Sequence, residues 1–177
     1  MRKIFILALA SLVALTSPAL AGADFNWTQQ QSFLKQGYIG LFSTSGAASE
    51  ESAVELYNPA ASGKVLVVWS ITCGTGAAES IGYGFTTVEL TTSGTGIANK
   101  YSSGSTGVAL SRSQDNAASY PFTGGVQSGA LLMPSSQSIP LPFVGPLIVT
   151  AGMGLQIFGA TVNTALTCNL EWDEING

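Results

Sequence analysis

A chain without histidine has few ways to move protons at neutral pH, and this one has none among its 177 residues. Ser-His-Asp and Cys-His nucleophiles, HExxH zinc chemistry and imidazole acid–base catalysis are therefore excluded. Ser32 and Lys35 have the S-x-x-K spacing of a Ser–Lys nucleophile, but no SDN or KTG partner follows. There is no GxSxG elbow and no phosphate-binding GxxxxGK[ST]. The pairs Gly74/Gly76, Gly82/Gly84, Gly94/Gly96 and Gly152/Gly154 read as turn or strand glycines.

Carboxylates remain. A small glycoside hydrolase needs two of them facing each other across a cleft, ~5–9.5 Å apart. The acids on strand-like segments are Glu79, Glu89, Glu171 and Asp173. Glu171 and Asp173 fall on the outward phase of the last strand, so they read as solvated charges that keep the protein soluble, and no catalytic residue is assigned. Calcium would use acids too, with six to eight oxygen ligands. No DxDxDG loop exists; Asp115-Asn116 and the cluster Glu171 to Glu174 are the places where a weak ion would sit. We assign neither a metal site nor a cofactor.

Cys73 and Cys168 are the only thiols. An even count behind an export signal favours a disulfide over two buried free thiols, and no CxxC spacing argues for redox work. The pair would close a loop of 95 residue steps. Among the aromatics, Trp69 and Trp172 share the apolar phases of the two cysteine strands and are expected in the core. Trp27 sits in a polar segment with Phe25 nearby and Phe33 beyond; these three are the candidate partner-binding residues.

The elements that position these residues begin after a leader. Met1, Arg2 and Lys3 precede an apolar run over residues 4–15, Ser17-Pro18 breaks it, and Ala19-Leu20-Ala21 is a small-x-small cleavage site. Residues 1–21 therefore read as a bacterial-type signal peptide, too short for the ~20 residues of a membrane anchor. Cleavage leaves 156 residues, one domain by size, with four cations (Lys35, Lys64, Lys100, Arg112) against ten acids. That balance excludes nucleic acid as a partner. Residues 139–158, the most apolar later stretch, are broken by Pro140, Pro142, Pro146 and several glycines, so no membrane span is expected.

Residues 22–36 read as an N-terminal arm, and residues 37–177 as a β domain. The strongest strand is 64–73, whose odd positions Val65, Val67, Trp69, Ile71 and Cys73 form an apolar face expected to point inward. The last strand, 165–175, puts Leu166, Cys168, Leu170 and Trp172 on one face. Between them, residues 81–90 read as a strand with Tyr83 and Phe85 inward and a bulge near Thr86-Thr87. Residues 91–123 turn Ser-, Gly- and Thr-rich, with short strands expected at 107–110 and 119–122. Eight to ten strands about ten residues apart predict an all-β fold, an antiparallel two-sheet β-sandwich of jelly-roll form with one disulfide.

Two stretches resemble small phage-type and secreted structural proteins. Leu56-Tyr-Asn-Pro-Ala-Ala-Ser-Gly-Lys64 is similar to their NPA-x-SGK turn and strand, and Thr164 to Glu174 to a final strand closing on Trp and acids. The resemblance implies a jelly-roll-like sandwich used for assembly or surface display and carries no catalytic residues. Taken with low charge, it leads to the expectation of a secreted, cell-surface or periplasmic structural protein, non-enzymatic, that self-associates or binds another surface protein. Virion proteins assemble in the cytoplasm, so the export signal favours a cellular surface. The alternatives are a carbohydrate-binding or adhesive module, using glycans as partners through the loops of residues 91–125, and a small glycoside hydrolase.

Overall fold

The computed structural model describes residues 37–47, 50–93, 97–99, 107–117 and 126–177. The expected signal peptide and arm, with Phe25, Trp27 and Phe33, lie outside the described residues. Twelve strands follow in order: β1 (Gly37–Ser43), β2 (Glu51–Asn58), β3 (Lys64–Thr75), β4 (Glu79–Thr86), β5 (Thr92–Ser93), β6 (Ile97–Asn99), β7 (Leu110–Ala117), β8 (Val126–Met133), β9 (Ser138–Pro140), β10 (Leu147–Val149), β11 (Met153–Gly159) and β12 (Leu166–Asn176). They form two six-stranded sheets. Sheet A runs β10-β3-β12-β1-β6, with β9 also on β3, and sheet B runs β5-β7-β2-β11-β4-β8.

Every pairing is antiparallel, and the pairs are nested. β1 meets β12, β2 meets β11, β3 meets β10 and β4 meets β8. This is one long hairpin rolled up so that successive arms alternate between sheets, which is the jelly roll. Its tip is the Ser/Gly-rich stretch between β4 and β8. There the chain adds β6 beside β1, and β7 beside β2 with β5 beyond it, one extension to each sheet. Of the two short strands expected in this stretch, the 107–110 one is displaced to β7, and residues 119–122 lie outside the described residues. One compact unit covers Lys35–Gly177.

The turn of the NPA segment has a mechanism. Asn58 is buried, and its Nδ2 donates to the carbonyls of Lys64 (2.9 Å) and Val149 (3.0 Å), while Gly152 N–H donates to the Asn58 carbonyl at 2.8 Å. Gly63 takes φ +62°, which a side chain would resist. The turn thus ties β2, β3 and the approach to β11 at one point.

The core lies between the sheets, where Leu66, Val68, Ile71, Val54, Leu56, Ile81, Leu155, Ile157, Leu166, Leu170 and Trp172 are buried. Trp172 stacks on Tyr38, with centroids 5.9 Å apart, and meets Phe42 edge-on. Gly40 lies between those two β1 residues, where a Cβ would stand 3.2 Å from the indole. Cys73 and Cys168 face each other directly in the β3–β12 ladder and form the expected disulfide, with Cα atoms 4.1 Å apart and both residues buried.

One expectation for β3 is overturned. Ile71 and Cys73 point inward as expected, but Trp69 is 38% exposed. In the β3–β12 register, Ser70 faces Glu171 and Val68 faces Trp172, leaving Trp69 as the extra residue of a β-bulge. The bulge inverts the phase. Before it, Leu66 and Val68 face the core, so Val65, Val67 and Trp69 belong to the outer face, although Val67 is covered there. Both phases of residues 65–69 are apolar, so alternation could not choose between them. In β4, Tyr83 and Phe85 are inward as expected, but the irregularity falls between Tyr83 and Gly84, and residues 87–91 leave the sheet.

Candidate functional site

Two outer faces carry the functional candidates. On sheet A, alternation puts Ile148 of β10, Val65, Val67 and Trp69 of β3, Glu171, Asp173 and Ile175 of β12, and Ile39 and Leu41 of β1 on the side away from the core. Leu41 is 52% exposed and Ile148 is 46% exposed, so with Trp69 three large apolar side chains stand in water across this face. The Trp69 indole is held in place, its Nε1–H donating to Asp173 Oδ2 at 2.7 Å. That bond fixes an aromatic plane on a face that mixes apolar side chains with Ser70, Thr72 and Asn169, a surface suited to another flat face or to a sugar ring.

Sheet B is built differently. Its outer face carries the row Arg112 (β7), Glu55 (β2), Gln156 (β11) and Gly84 (β4), successive partners in the ladders. Residues 87–91 cross this row. The Leu90 N–H donates to Glu55 Oε2 at 2.8 Å, and Glu89 forms an ion pair with Arg112. Glu55 is 0% exposed, with Gln156 Nε2 at 3.5 Å from Oε1. Burial pushes its carboxyl up to about 7, opposed by the Leu90 N–H and reinforced by the neighbouring Glu89 charge. Gly154 on β11 makes room for it, because a Cβ there would overlap the carboxylate.

Acids elsewhere are structural anchors too. Glu174 turns inward, and its carboxylate accepts the N–H groups of Val108 (2.9 and 3.0 Å) and Ala109 (3.0 Å), pinning the approach to β7. Glu79 accepts the Thr161 N–H at 3.1 Å, while its Oε1 is buried with no hydrogen-bond partner among the described residues. Burial raises its carboxyl, with Glu51 adding to the effect. The reading of the acids as solvated charges is therefore corrected at Glu79 and Asp173, both buried, although Asp173 does lie on the outward phase. The Glu171 to Glu174 cluster is split between the two sides of sheet A, and Glu174 is filled by backbone donors. It is not a cation cage. The Asp115-Asn116 side chains lie outside the described residues, and among those described no group of three or more His, Cys, Asp or Glu converges.

A shallow groove of about 340 Å³ lies near the disulfide, lined by Gly74, Gly76, Ser136, Ser138, Ala165 and Thr167 among others. Its small, mostly uncharged walls offer hydroxyls and backbone groups but no charge.

Of the residues singled out from sequence, the structure brings together Ile71, Leu166, Leu170 and Trp172 around the Cys73–Cys168 bridge. It moves Val65, Val67 and Trp69 to the outer face. Sequence reasoning missed Leu41 and Ile148 as exposed side chains, and missed Glu55 altogether. A signal for Glu55 existed, a single acid inside the apolar run Ala53-Val-Glu-Leu-Tyr57. Among the described residues no helix is long and apolar enough to cross a membrane. Comparison with protein family models, curated proteins and solved structures returned no match to this chain.

Proposed function

We propose that this is an exported, non-enzymatic structural protein that self-associates through the outer face of sheet A, assembling on or decorating a cell surface. The observation that carries this reading is the placement of Trp69, Leu41 and Ile148, all exposed, on one sheet face whose other positions are Val65, Val67, Ile39 and Ile175 with small hydroxyl and amide side chains and the two acids Glu171 and Asp173. Burying such a face against a second copy removes apolar area from water at ~25 cal/mol per Å² and desolvates few charges. The buried acids are committed to holding backbone, as Glu55, Glu79 and Glu174 show, which suits scaffold better than chemistry. A disulfide between core strands is compatible with a non-cytoplasmic compartment. The test is the solution mass of the protein over a wide concentration range, with Trp69→Ser and Ile148→Ser expected to shift it toward the monomer.

One observation favours a second reading. The fixed Trp69 ring on a flat face is also the geometry on which a sugar ring stacks. Glycan-array binding that is lost in Trp69→Ser, without any change of mass, would select a carbohydrate-binding module instead.

A further inference from the structure

The crossing of sheet B by residues 87–91 has a feature that assembly through sheet A does not use. The segment begins with a local turn, Val88 N–H donating to Thr86 Oγ1 at 3.0 Å, and then runs over a carboxylate with no exposure to water. Among the described residues, the groups facing Glu55 are Glu89 and the Leu90 N–H from the crossing segment, Arg112 from β7, and Gln156 with Gly154 from β11. Two carboxyl groups thus share the neighbourhood of one guanidinium, and Glu89 already pairs with it.

We propose that residues 87–91 are a proton-controlled strap, closed over sheet B while the Glu55 carboxyl is protonated and released when it ionises. A neutral Glu55 still accepts the Leu90 N–H through one oxygen and offers its own proton to the Gln156 amide oxygen after an amide flip. An ionised Glu55 in the closed state is an anion beside Glu89, shielded from water by the segment that covers it. Lifting that segment hydrates the charge and parts it from Glu89. Release uncovers Glu55, which is buried when the strap is down, and so opens the middle of the outer face of sheet B.

The direction follows from proton linkage. Closed, Glu55 keeps its proton to about pH 7; open, it behaves as an ordinary glutamate near 4.5. Opening is therefore constant below about pH 4.5, rises about tenfold per pH unit between these values, and is constant again above 7.

The experiment is amide hydrogen exchange of Leu90 in the intact protein by NMR from pH 4 to 9, expressed as protection factors so that intrinsic exchange is removed. The expected result is a fall of about fortyfold from pH 5 to 7 and a plateau from about pH 8. Protection should stay well below that of the β3–β12 amides. Glu55→Gln should hold Leu90 protected at all pH values, and Glu89→Gln should move the plateau to lower pH by removing the repelling charge. The proposal is overturned by Leu90 protection that does not change with pH, by protection equal to that of the core amides throughout, or by a Glu55→Gln profile like the wild type. Should Glu55→Gln fail to fold, an unmoved plateau in Glu89→Gln overturns it equally.

Discussion

The two outer faces of the sandwich solve one problem in opposite ways. Each sheet must turn a surface away from the core, and in each that surface has a chemically awkward strand. Sheet A leaves Leu41, Trp69 and Ile148 in water and secures the indole with a single bond to Asp173. Sheet B places Glu55, Arg112 and Gln156 in a row and covers them with residues 87–91. An exposed apolar face costs little to a monomer's folding but promotes association. A buried polar row must be satisfied internally, because an unpaired buried group costs ~1–3 kcal/mol. The first face thus leaves apolar side chains open across three strands, and the second is closed by the chain over its Glu55–Arg112 row, with Leu132 exposed only on its edge strand β8.

The largest effect should come from the core that lies between the two sheets. The Cys73–Cys168 bridge closes 95 residues of sequence separation, and its removal in Cys73→Ala/Cys168→Ala should cost ~4–5 kcal/mol by the chain-entropy model, read by chemical denaturation. A smaller loss would mean that the unfolded chain stays compact without the bridge, so that the bridge restricts it little.

Next come the two tryptophans, which separate inside from outside across a single ladder. Trp172 is 0% exposed, and Trp172→Ala should cost ~3–5 kcal/mol. Trp69→Ala should cost about 1 kcal/mol, the worth of its indole hydrogen bond and partial packing. Equal losses would put Trp69 in the core and remove the bulge from the argument.

These residues also show where sequence stops being legible. The strands, the sandwich and the disulfide followed from turn residues, apolar alternation and two cysteines in phase. Trp69 did not follow, because Val65 to Trp69 is apolar on both phases, and the bulge that decides between them is a property of the β12 pairing. Glu55 was hidden for a related reason. The groups that permit its burial, Leu90, Gln156 and Gly154, are 35, 101 and 99 residues away in sequence. Leu41 and Ile148 read as ordinary strand residues, since the sheet face they share is assembled from four strands.

Sheet B should reveal itself through pH. Folded Glu55 holds a proton to about 7 against an ordinary value near 4.5, so the folded chain binds more protons between these limits. The contribution of Glu55 to stability should be greatest below pH 4.5, fall by up to about 3 kcal/mol as pH rises to 7, and level off above it. Glu79, also raised by burial, adds to the fall in the same direction. Thermal unfolding of wild type and Glu55→Gln across this range checks it; the variant should lose most of the slope. A wild type whose slope matches that of Glu55→Gln would show Glu55 ionised in the fold.

The smallest folding effects belong to sheet A. Leu41→Ser and Ile148→Ser should each change monomer stability by no more than ~0.5 kcal/mol, as exposed positions do. Losses of 2 kcal/mol or more would mean that the chain itself covers this face.

The most direct measurement is the light-scattering mass of the protein as a function of concentration, beside Trp69→Ser/Ile148→Ser. The wild type should rise in mass with concentration, and the double variant should stay monomeric and folded, its melting temperature lowered only by the few degrees that the lost Trp69 hydrogen bond costs. A wild type that remains monomeric throughout, or a variant that associates as the wild type does, would contradict assembly through the outer face of sheet A.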